Sequence, residues 1–174
     1  MTVDLEPSRT ALVLIDLMPR IIALPTAPFS GAEVVSRCLS LAAATRAAGG
    51  LVVFVRVERP HVDAQPPGSE LAPECAPQPG DVLIVKRTWG AFQGTGLEEE
   101  LRSRGVRTVV LGGLVTNFGV ESTGRVADEH GYGVVFVSDA MAGLHAHAHD
   151  FAVDYVFPKI GTVCATADIL ATLS

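Results

Sequence analysis

Short, unbroken apolar runs recur along this chain, separated by stretches with helix start and stop signals. Thr10 to Ile15 (Thr-Ala-Leu-Val-Leu-Ile) has no polar interruption after its first residue, as expected of a strand buried on both faces. Valine-rich Leu51 to Val57, Asp81 to Lys86, Thr108 to Leu111 and Val134 to Ser138 repeat the pattern, and a shorter run spans Thr162 to Cys164. Between them, Ser30-Gly-Ala-Glu33 has the spacing of a capping box and opens a helix that closes at Gly49-Gly50. Thr95-Gly-Leu-Glu98 has the same spacing and predicts a helix ending at Gly105. Further helices are expected from Gly119 to about Gly131, between Leu144 and Phe157 with Pro158 as the stop, and from Thr166 onward. Proline-loaded Arg59 to Gly80 reads as a long loop, and loops of that length are usually functional or mobile.

Strands alternating with helices indicate an α/β domain: a parallel sheet with helices on both faces. The length of 174 residues suits one domain over 1–174, and no internal repeat is present. In open parallel sheets, ligands bind outside the carboxyl ends of the strands. Asp16, Lys86 and the turn after Gly112-Gly113 all fall at such ends.

Composition narrows the classes. The formal net charge is −6 without a basic stripe, which argues against a nucleic-acid partner. No apolar run is long enough to cross a bilayer, and Met1-Thr-Val-Asp-Leu-Glu-Pro7 lacks the pattern of a secretory leader. Cys38, Cys75 and Cys164 are odd in number and far apart, which disfavours a disulfide framework or a cysteine-based metal site. A cytoplasmic protein with structural thiols is the expectation.

Each candidate for chemistry has two readings. Asp16 is either a general acid or base in a partly dry cleft or a carboxylate bonded to the following turn. Lys86 either orients Asp16 and stabilises negative charge or is a solvated lysine at a strand end. Gly112 to Thr123 either approaches a ligand closely, with Thr116 and Asn117 facing it, or forms an ordinary strand-to-helix turn. Trp89, Phe92 and Phe118 are either pocket walls or packing residues.

Taken in order, Leu12-Val-Leu-Ile-Asp16, Val85-Lys86, Ala91-Phe92 with Thr95 and Leu97, Gly113 to Thr116, Val120-Glu-Ser-Thr123, Gly131-Tyr132 and Asp139-Ala140 resemble the isochorismatase-like hydrolase superfamily. The resemblance runs from about Thr10 to the last helix. It implies a three-layer, Rossmann-like α/β/α fold with a six-stranded, mostly parallel sheet. It implies Asp16 as the catalytic aspartate, Lys86 as the catalytic lysine, and a cis peptide at Leu114–Val115 shaping an oxyanion site. It also implies a small-molecule substrate and a homo-oligomer.

Gly119 falls where amidase members of that superfamily carry a nucleophilic cysteine, and none of the three cysteines lies at a matching place. The expectation is therefore a hydrolase that forms no thioester. By resemblance to the isochorismatases, Asp16 would protonate a vinyl ether, water would add, and pyruvate would leave. Two departures stand beside this. Thr88 occupies the place of an arginine suited to a substrate carboxylate, and Met18 the place of a common glutamine. A binding or scaffold protein and an amidase using activated water remain alternatives. No cofactor is expected. Glu58-Arg-Pro-His61 lacks the second histidine of the metal-binding members; the spacing of two among His145, His147 and His149 is wrong for one helical face, although His145 and His149 could align, and with no matching second cluster no metal is expected either.

Overall fold

A computed structural model describes residues 4–174. Six strands form one all-parallel sheet: β1 (Thr10–Ile15), β2 (Leu51–Val57), β3 (Val82–Lys86), β4 (Thr108–Leu114), β5 (Gly133–Ala142) and β6 (Thr162–Cys164). Their order across the sheet is β3-β2-β1-β4-β5-β6. The chain reverses its direction of winding between β1 and β4, so a crevice opens at the carboxyl ends of these two neighbours.

The apolar runs are unbroken because both faces are covered. In β1, Leu12 and Leu14 join one core with Val34, Cys38 and Leu41 of helix α2 (Gly31–Ala47), counted after the short α1 (Pro19–Ile22). Ala11, Val13 and Ile15 join the opposite core. There they meet Leu97 and Leu101 of α3 (Leu97–Ser103) and Ala127 of α4 (Glu121–Glu129). The remaining helices are α5 (Ala146–Phe151), α6 (Phe157–Ile160) and α7 (Thr166–Leu173). None of the described helices is long and apolar enough to cross a membrane.

The Ser30 capping box forms as expected, with Ser30 and Glu33 bonded reciprocally. Three local expectations do not hold. Thr95 and Glu98 make no capping box: Gly96 is the N-cap, the Thr95 hydroxyl donates to the Ala91 carbonyl, and Glu98 pairs with Arg102 and His130. Pro158 does not stop a helix, because a π-helical segment (Ala152–Val156) changes the hydrogen-bond register just before it. β4 does not end at Leu111 but continues through Gly112-Gly113 to Leu114, with the two glycines paired with Leu14 and Ile15 of β1.

Close approach explains that glycine pair. Gly113 has φ +112°, and a Cβ there would lie on the backbone carbonyl and nitrogen of Ile15. Gly113→Ala combines overpacking with a backbone conformation that side chains avoid, so a stability loss of about 3 kcal/mol is expected in urea denaturation. Loss of less than about 0.5 kcal/mol would show that the two strands can separate without cost.

Candidate active site

Asp16 is the first residue after β1 and adopts a left-handed conformation, φ 52°. Aspartate tolerates this region better than most residues. The turn is tied down by the Asp16 N–H donating to Val55 O and the Met18 N–H to Asp16 O, both at 2.8 Å. Lys86 ends β3, two strand spacings away, roughly 10 Å. Its long stem crosses the end of β2 and brings Nζ to 2.9 Å from Asp16 Oδ2. Nζ also donates to the Trp89 carbonyl at 2.6 Å. Lys86 is 2% exposed and Asp16 5%, so this is a buried ion pair, not a solvated one.

Burial pushes the Asp16 carboxyl up to about 6, against the downward pull of Lys86 and, more weakly, Arg20. Oδ2 is engaged by the lysine, whereas Oδ1 is buried without a partner. The carboxyl thus has one oxygen held in place and one free to give or take a proton near neutral pH.

Gly119 completes the group. Beyond β4, the Leu114–Val115 peptide is cis and Thr116–Val120 forms a π-helical turn leading into α4. This wider turn carries Gly119 against the ion pair. A Cβ on Gly119 would lie 2.9 Å from Ile15 Cγ2, 3.1 Å from Lys86 Nζ and 3.5 Å from Asp16 Oδ2. Asp16, Lys86 and Gly119 line a cleft of about 370 Å³, with Leu114, Val115, Phe118 and Trp89 also in its wall. The Trp89 and Phe118 rings stack at 5.0 Å, and Trp89 is 67% exposed at the rim.

Three expected lining residues lie elsewhere. Thr116 is fully buried, with its hydroxyl 2.8 Å from Nδ1 of His149. Asn117 is outside the cleft wall, its Oδ1 buried without a partner. Phe92 is buried 5.3 Å from the His130 ring and 6.2 Å from that of Tyr132. The π turn and the packing of α4 account for these positions, since they aim Thr116 at α5 and hold Phe92 in the core.

Thr88 lines the cleft at the place where an arginine was expected, and Arg20, Ile21, Leu24, Val57 and Leu144 join it there without having been singled out from the sequence. Arg20 follows Asp16 by four residues on the same sheet edge, a spacing that could have drawn attention to it. Leu144 arrives from beyond β5, and nothing local announces it. Asp139 lies within β5, accepting hydrogen bonds from the N–H and hydroxyl of Thr166 and so holding the start of α7.

No thiol reaches the cleft. Cys38, Cys75 and Cys164 are buried and unpaired. Burial raises all three thiols: Cys38 far above the ordinary range, Cys75 and Cys164 to about 11. Among the described residues, no three His, Cys, Asp or Glu side chains converge on a common point.

Residues 10–168 match the isochorismatase domain. The chain belongs to the isochorismatase family. It is 39% identical over 186 residues to YecD, an isochorismatase family protein of Escherichia coli O157:H7, covering 98% of this chain and 99% of that one. An isochorismatase family protein from Burkholderia thailandensis has the same fold, with a TM-score of 0.92 at 42% identity over 99% of both chains. A maleamate amidohydrolase of Pseudomonas putida is 30% identical over 186 residues, 95% of this chain and 87% of that one. This isochorismatase-family chain is accordingly a hydrolase, with the Asp16–Lys86 cleft at the carboxyl edge of its sheet.

Proposed function

We propose that this protein hydrolyses a small vinyl ether, such as isochorismate, without a covalent enzyme intermediate. The observation that carries the reading is Gly119: the wall beside the ion pair has no side chain, and one would crowd Lys86 Nζ and Ile15. Glycine keeps that space open for substrate and water.

The protonated Asp16 carboxyl delivers its proton to the terminal vinyl carbon, forming a C–H bond and an oxocarbenium ion. A water oxygen adds to the cationic carbon, and its proton returns to the carboxylate. The resulting hemiketal loses its alcohol and leaves pyruvate. Lys86 holds Oδ2 throughout, leaving Oδ1 for the proton. Likeness to an amidohydrolase supports a second reading, in which ionised Asp16 activates water against an amide.

Product analysis separates the two. Incubation with isochorismate and with an amide panel is expected to yield pyruvate and no ammonia. Ammonia without pyruvate would transfer the assignment to the amide reading. Prior treatment of the folded protein with iodoacetamide is expected to leave at least 80% of the rate, roughly, because buried neutral thiols alkylate slowly. Inactivation that tracks modification of one cysteine would restore a thiolate mechanism.

A further inference from the structure

Arg20 is the unexplained charge of the cleft. It sits in α1, one turn beyond Asp16, with its backbone N–H 3.4 Å from the Gly68 carbonyl. No side-chain hydrogen bond or ion pair involves its guanidinium among the described residues, and its Nε is buried without a partner. Several other cations are ion-paired: Arg46 with Asp81, Arg56 with Glu58, Arg102 with Glu98, Arg125 with Glu121. A buried donor left unpaired is costly, so a site that keeps one is complementary to a ligand that pairs it.

The charge balance agrees. Among the described residues, Asp16, Arg20 and Lys86 are the only charged groups in the cleft wall, so it carries one more positive than negative charge when Asp16 is ionised, in a chain of net charge −6. An adjoining hollow shares Val57, Thr88 and Trp89 and adds Arg59 and Arg87 against Glu58. Two of the three Lys86 donors are taken by Asp16 and the Trp89 carbonyl, whereas the Arg20 guanidinium has no side-chain partner among the described residues and so has more donors to spare. Apart from Thr88, the remaining wall is apolar, with Ile21, Leu24, Leu144 and the stacked Trp89–Phe118 pair.

We propose that Arg20 is the carboxylate anchor of this cleft, and that the ligand class is a small unsaturated carboxylate, held through one carboxylate by Arg20 with its unsaturated body toward Trp89 and Phe118. The inference rests on the reading of the cleft as the substrate site. A guanidinium fork pairs both oxygens of a carboxylate, whereas an amide satisfies it poorly. Bound here, the carboxylate also cancels the pull of Arg20 on Asp16, so the acid keeps its proton when the site is filled.

Trp89 is the sole tryptophan, so its fluorescence reports occupancy directly. Benzoate, sorbate and cinnamate, each titrated beside its amide and beside inorganic phosphate at constant ionic strength, serve as probes. At least one carboxylate is expected to saturate the signal at a concentration tenfold or more below its amide and below phosphate. Arg20→Gln should weaken that carboxylate at least tenfold, leave the amide within twofold, and Arg20→Lys should recover part of the loss. No saturable carboxylate binding, equal affinity for the amide or phosphate, or indifference to both substitutions would overturn the assignment. Asp16→Asn is expected to retain carboxylate binding. Turnover that survives in that variant counts against Asp16 as acid, whereas binding that ignores Arg20 counts against the anchor alone.

Discussion

Asp16→Asn is expected to lower kcat by about 10³-fold, the scale of a positioned general acid. The substitution keeps the shape of the side chain and an oxygen that can still accept from Lys86 Nζ, now 2.9 Å from Oδ2. What it removes is the transferable proton. Two stability effects oppose each other: the amide escapes the cost of burying charge, and Lys86 loses its counter-ion. The melting temperature should therefore stay within about 4 °C, equivalent to ~1 kcal/mol in a chain of this length.

The pH profile tests the same assignment. With the carboxyl raised to about 6, the protonated fraction falls tenfold for each pH unit above that value. For an acid, kcat/KM in the wild type should decline across pH 6 to 8, and the residual rate of the asparagine variant should show no such limb. A limb that instead rises with pH would identify Asp16 as a base and favour amide hydrolysis.

Lys86→Met should have the second large effect, and its size should depend on pH. Without the ammonium, burial acts on Asp16 with only Arg20 opposing it, so the carboxyl rises further. The folded state then holds a proton that the unfolded chain, near 3.8, releases. Stability from this group is complete below that value and is lost as pH rises through the higher folded value. Urea denaturation is expected to show a loss of about 3–5 kcal/mol at pH 8, where a buried carboxylate must ionise without its partner. At pH 5 the carboxyl stays neutral and the loss should be much smaller. Equal losses at the two pH values would mean that packing of the lysine stem, not the ion pair, is what the fold depends on. Turnover should fall at least 10²-fold at either pH, as for removal of a fixed charge beside the reacting atoms.

Much of the architecture was legible in the order of residues because burial on both faces leaves a local mark. Runs such as Leu12-Val-Leu-Ile15 and Val52-Val-Phe-Val55 need no long-range information to read as internal parallel strands. Once strands and helices alternate, the carboxyl edge is the place to look, and Asp16 and Lys86 stand out there as charges ending apolar runs. Where elements end was less legible. Glycine pairs usually mark turns, yet Gly112-Gly113 stays in β4 because the backbone of β1 lies against it. Thr95 donates its hydroxyl to Ala91 and accepts from the Leu97 N–H while Glu98 turns away to Arg102 and His130, so no capping box closes, and Pro158 follows a π-helical segment that no simple period announces.

The sequence by itself determined the alternating fold, the acid and the amine at strand ends, and the missing thiol at Gly119. Only the tertiary structure decided that these groups share one cleft, that Arg20 enters it unpaired, and that Thr116, Asn117 and Phe92 do not line it. The reason is physical. Secondary structure and strand termini follow from periodicities a few residues long, whereas the membership of a cleft depends on which strand ends become neighbours and how one widened helical turn rotates its side chains.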